Sequence, residues 1–163
     1  MALKRLSQLA LLSAVCIILR YLFAGIPNVQ PITAIFLTIT IRMGLVDGVL
    51  VAAVTMLVTG FLLFFGPWVL WQILSYSLIL CLWKFLCYPI SQRKSWLESA
   101  LAGLLAFLYG LVIDSITALF YGAPVWPYVL AGSVFNLAHG LSTSLSYPII
   151  ITVFRRFTHE KNI

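Results

Sequence analysis

Seven polar side chains in an otherwise apolar chain carry most of its chemical potential: Arg20, Asn28, Gln30, Gln72, Asp114, Asn136 and His139. Asn136 and His139 are one helical turn apart and share a face. Asn28 and Gln30 lie in a short break between apolar runs, and Gln72 follows one turn after Trp68. A polar group in lipid is expensive, so each needs a partner or a cavity. Each also has a plainer use. Arg20 and Asp114 fit a structural ion pair between helices, and Arg20 fits snorkelling to headgroups. Asn136 and His139 fit interhelical hydrogen bonds, and Gln72 fits a cap. All seven map to one depth, and convergence from several helices indicates a solvent-open pocket for an organic ligand.

Catalysis finds little support. The chain has no His-Glu-x-x-His zinc motif, no paired carboxylates, no Gly-x-Ser-x-Gly elbow and no phosphate-cradling loop. Ser115 beside Asp114, with His139 in another span, is the nearest approach to a nucleophile pair. Cys16, Cys81 and Cys87 lie in apolar runs at no metal-ligand spacing and read as small hydrophobes. No metal is implied, and no cofactor within this chain.

The elements that position these residues follow from composition. Of 163 residues 63% are hydrophobic and 9% charged, with mean hydropathy +1.09. Soluble domains carry about 25% charged residues, so lipid must be the solvent. At roughly 20 apolar residues per span, the length holds about six spans. The expected class is an all-α membrane protein, one integral domain over 1–163. Its spans are placed at about 6–25, 31–43, 46–65, 69–89, 98–120 and 128–153. The first is read as a retained helix, because no cleavage site follows it. Pro31 suits the first turn of the second, short span.

Charge orients the bundle. With the amino terminus inside, Lys4, Arg5, Arg42, Arg93, Lys94, Arg155, Arg156 and Lys161 fall on inner segments. The outer breaks 26–30, 66–68 and 121–127 carry no Lys or Arg. By the positive-inside rule both termini are cytoplasmic. This asymmetry accounts for the net charge of +6 without nucleic-acid binding. Trp68, Trp71, Trp126 and nearby tyrosines gather at the outer interface. An aromatic belt explains about half of such residues, and the rest lie beside the polar set. On the inner side, Ala10-Leu-Leu-Ser13-Ala14 places small residues four apart, a spacing that admits a neighbouring helix.

Three features resemble the substrate-binding S component of an energy-coupling factor (ECF) transporter, a class of prokaryotic vitamin importers. They are the Ala10-xxx-Ala14 spacing, six spans with both ends inside, and the paired stretches Asn28-Val-Gln-Pro31-Ile-Thr-Ala34 and Gly66-Pro67-Trp68-Val-Leu-Trp71-Gln72. The resemblance covers the whole chain and is greatest to the cobalamin-type subgroup. It implies a multi-pass protein of a prokaryotic plasma membrane, folded as an S-component-like bundle. Such a protein captures a vitamin outside, with cobalamin the first candidate. It docks through Ala10 and Ala14 on a transmembrane T subunit. Two cytoplasmic ATPase subunits, not this chain, use ATP and Mg. The implied substrate-binding residues are Asn28, Gln30, Trp68, Trp71, Gln72, Trp126, Asn136 and His139. Pantothenate, riboflavin, pyridoxine and queuosine precursors stay open as ligands. A membrane scaffold of cell-wall morphogenesis and a small membrane enzyme stay open as other classes.

Overall fold

A computed structural model describes residues 2–91 and 94–159. Arg93 and Lys161, counted above among the inner charges, lie outside these residues. The described chain is a helical bundle: α1 (Ala2–Leu22), α2 (Ile32–Arg42), α3 (Leu45–Leu63), α4 (Trp68–Leu82), a π-helical turn (Trp83–Cys87), α5 (Tyr88–Ser91), α6 (Ser95–Phe120) and α7 (Val125–His159). Five stretches are long and apolar enough to cross a bilayer: Leu3–Leu22, Leu45–Leu63, Trp68–Ser91, Ser95–Phe120 and Val125–Arg156. Their outward faces expose residues such as Leu11, Ile18, Phe61, Leu78, Leu104 and Leu141. Water does not tolerate so continuous an apolar surface, and acyl chains do.

The stretch expected as a second span is shorter than a span. The 11 residues of α2 rise about 16 Å, roughly half of a hydrocarbon core about 30 Å thick. Every residue from Ile32 to Thr40 is buried, so no face of α2 over that length meets lipid. It touches α1, α3, α4, α6 and α7. Its core residues Phe36, Leu37 and Ile39 pack with Met56, Ile79, Leu80 and Trp83 of the neighbouring elements. The turn from α2 into α3 is tight because Gly44 takes φ +124°, a region that side-chain-bearing residues rarely enter.

Contacts between elements give the topology. Arg5 on α1 pairs with Asp47 at the start of α3, through Nε at 3.0 Å and through Nη2. Arg20, near the end of α1, reaches Met56 and Thr59 further along α3. The two helices therefore run in the same direction, and α2 carries the chain back between them. Gln72, early in α4, meets Arg20, so α4 starts where α1 ends. Trp83, just past α4, packs edge-on against Tyr147 late in α7, and Glu98 at the start of α6 meets the same Tyr147. The start of α1 and the end of α7 thus lie at one end of the bundle. Lys4, Arg5, Arg42, Lys94, Arg155 and Arg156 gather there. We call it the basic end and the opposite one the cavity end.

Two local features keep the long helices whole. Pro89 cannot donate to the carbonyl of Phe85, and in an α-helix its ring would press on that carbonyl. The π turn just upstream, where Tyr88 N–H reaches back to Trp83 O, widens the helix ahead of the proline. In the α6/α7 hairpin, Gly103 and Gly140 face each other so closely that a Cβ on either would lie within 2.9 Å of the other's carbonyl oxygen. Small residues allow this approach, the usual basis of helix association in lipid.

Candidate functional site

At the cavity end Arg20, Asn28, Gln30, Ile32, Met56, Gln72, Tyr76, Tyr109 and His139 enclose a cavity of about 50 Å³. They come from α1, the 23–31 segment, α2, α3, α4, α6 and α7, so the cavity sits where most of the bundle converges. A hollow of about 390 Å³ lies along α7 near the basic end, bounded by Pro148, Ile149, Thr152, Val153 and Arg156. One helix alone lines it, so it is a surface depression. The smaller cavity holds the convergent polar groups.

A directed hydrogen-bond chain forms one wall. His139 Nδ1 lies 3.1 Å from the backbone oxygen of Asn28. That oxygen only accepts, so Nδ1 carries the proton. In the neutral ring Nε2 then accepts, at 2.9 Å, from the Thr33 hydroxyl. With its proton used, Thr33 accepts in turn from Tyr76 O–H at 3.0 Å. Tyr76 stacks on Tyr109 with ring centroids 4.2 Å apart. The chain ties α2, α4 and α7 to the 23–31 segment. Asn28 turns its carbonyl inward from a left-handed conformation, φ 58°, which Asn adopts more readily than most side-chain-bearing residues.

Arg20 forms the opposite wall. It donates to Thr59 Oγ1 at 2.7 Å and to Met56 Sδ, and its Nη2 lies 3.4 Å from Gln72 Oε1. All three acceptors are neutral. The ion pair expected with Asp114 is not formed. Asp114 instead accepts from Asn136 Nδ2 at 2.7 Å across the α6/α7 interface. The interface is cut to admit both side chains: a Cβ on Gly110 would strike Asn136, and one on Gly132 would strike Asp114. Arg20 also departs from the snorkelling expectation, because its head turns toward α3 and α4.

Of the eight residues expected to bind substrate, the structure brings four to the cavity: Asn28, Gln30, Gln72 and His139. Asn136 is 3% exposed and engaged with Asp114. Trp68 lies against Gly66 and is 37% exposed. Trp71 packs on Phe120, ring centroids 5.5 Å apart. Trp126 is 76% exposed. Rotation explains the last two. At about 100° per residue, Trp71 lies about 140° around α4 from Tyr76, and Trp126 about 140° around α7 from His139. Depth alone groups these residues; angle separates them.

The sequence reading missed Thr33, Met56, Tyr76 and Tyr109. Tyr76 was within reach, because it follows Gln72 by four residues and shares its face. Thr33 carries no such signal, since hydroxyls in apolar helices usually bond back to their own backbone. Thr38 and Thr40 do so here.

Among the described residues no group of three or more His, Cys, Asp or Glu is placed to hold a metal ion. The arrangement offers hydrogen-bond donors, amides, aromatic faces and one cation. That is recognition chemistry for an organic solute. Ala10 and Ala14 lie on the exposed face of α1, away from the internal packing made by Ser13 and Cys16. Compared with known proteins, the chain matches no family model, no curated protein and no solved structure.

Proposed function

We propose that this chain is the solute-capturing subunit of a membrane importer, an S component of the ECF type. In this reading it crosses the membrane six times with both ends cytoplasmic. The cavity end faces outward, and the exposed Ala10 and Ala14 dock on a T subunit served by two ATPases. The observation that carries the proposal is the enclosed polar cavity inside an apolar bundle, at the end opposite the basic residues. A purely structural bundle in lipid has no use for so many convergent polar groups, each of which is costly to place there.

The resemblance in sequence ranks cobalamin first among the vitamins. The volume of about 50 Å³ favours a smaller solute. Pockets for drug-sized ligands span about 300–1,000 Å³, and a space of this size holds only a few waters. Binding therefore requires the 23–31 segment, which closes the cavity through Asn28 and Gln30, to move outward. Pantothenate, riboflavin, pyridoxine and queuosine precursors ask for a smaller movement than a corrinoid does.

Calorimetry on the purified chain in lipid nanodiscs, across a vitamin panel that includes cobalamin, tests the reading. One member should bind at a stoichiometry near one. Silence across the panel rejects solute capture and leaves a scaffold role.

A further inference from the structure

Among the described residues Arg20 is a cation without a counterion. The chain has four acidic residues, and none of the three described ones pairs with it. Asp47 is paired with Arg5 at the basic end. Glu98 lies at that same end, 3.4 Å from the Tyr147 hydroxyl, which donates to it. Asp114 is held by Asn136. Glu160 lies outside the described residues. Among the described residues Arg20 meets a thioether, a hydroxyl and an amide oxygen, and a thioether is a weak acceptor. A guanidinium has more N–H donors than these three contacts use. An unpaired charge at this depth is strongly disfavoured, and such residues in membrane spans usually mark a ligand path with a definable partner.

We propose that the partner is the ligand itself, a small monocarboxylate whose carboxylate pairs with Arg20. Its hydroxyl or amide groups then meet Asn28, Gln30, Gln72 and Tyr109, the polar lining outside the His139–Thr33–Tyr76 chain. This assignment rests on the capture reading above and narrows it. Three observations select the class. The guanidinium is planar and forked, which matches the two oxygens of a carboxylate. It is the single Lys or Arg on the cavity wall, so it balances one negative charge; a phosphate dianion would call for a second cation. His139, in the neutral form whose Nε2 accepts from Thr33 and whose Nδ1 donates to Asn28 O, adds no second cation.

The test uses matched acids and neutral counterparts on the full chain in phosphatidylcholine nanodiscs: pantothenate with panthenol, nicotinate with nicotinamide, biotin with its amide, and cobalamin alongside. For the pair that binds, the acid should bind about 100-fold more tightly than its neutral form. Arg20→Gln should level the two. Arg20→Lys, which keeps the charge and loses the fork, should retain the preference at lower affinity, and it covers the case in which Arg20→Gln does not fold. A neutral form binding as tightly as its acid overturns the monocarboxylate and leaves solute capture standing. So does a ligand whose affinity Arg20→Gln leaves unchanged. Silence across the panel rejects both. Repeating the titration with phosphatidylglycerol separates the anion's source: competition by that lipid identifies a headgroup as the occupant and overturns the soluble ligand.

Discussion

Thr33 is the middle link between Tyr76 and His139, and its hydroxyl has no substitute in that chain. Thr33→Val keeps the shape and removes the link, leaving His139 Nε2 unpaired at a buried site. Each unsatisfied buried group costs about 1–3 kcal/mol. The variant should therefore unfold at a lower temperature than wild type in a nanodisc melt, and an unchanged midpoint would show that the link is dispensable. At this scale the sequence is readable in one coordinate only. Because polar groups are costly in lipid, the depth of Arg20, Asn28, Gln30, Gln72 and His139 could be read from their positions along the spans. Their angular positions and pairings could not. Asp114 and Arg20 look like partners by charge and depth, yet Gly110 and Gly132 open a space in which Asn136 reaches Asp114 first.

The helix pair α6/α7 is built around glycines placed opposite larger groups, and its tolerance for added volume is small. Gly110→Ala would push a methyl group into Asn136. Overpacking of this kind costs about 1–3 kcal/mol, and here it also displaces the Asn136 bond to Asp114. The expected outcome is a lower melting temperature, largely recovered by the double change Gly110→Ala with Asn136→Ala; failure of that recovery would place the cost elsewhere. The positions of all six expected helical stretches were legible from apolar runs and turn residues. Their limits were not. α6 begins at Ser95 rather than 98, and α7 runs Val125–His159 rather than 128–153. Pro127 sits in the first turn of α7, where its missing N–H costs nothing. Pro148 is carried inside the helix, as membrane helices permit. The π turn before Pro89 has no signature in hydropathy, because it changes hydrogen-bond register and not polarity.

The whole molecule is polarised by charge: its described basic residues gather at one end, save Arg20 and Lys84, and its cavity lies at the other. In the proposed orientation, single cysteines introduced at Lys4 and Arg156, on a background with Cys16, Cys81 and Cys87 replaced, should react with an impermeant thiol reagent only from the cytoplasmic side. One at Ala123 should react only from outside. Labelling of all three from one side would refute six crossings. In that proposed orientation the alternation of crossings rests on α2, which α1, α3, α4, α6 and α7 sheathe. Since it meets no acyl chains from Ile32 to Thr40, α2 has no hydrophobic length to match. A thicker or thinner bilayer is accommodated by tilt and flexing of the five long helices. The innermost wall of the cavity, which α2 supplies through Ile32 and Thr33, is thereby insulated from the thickness of the membrane around it.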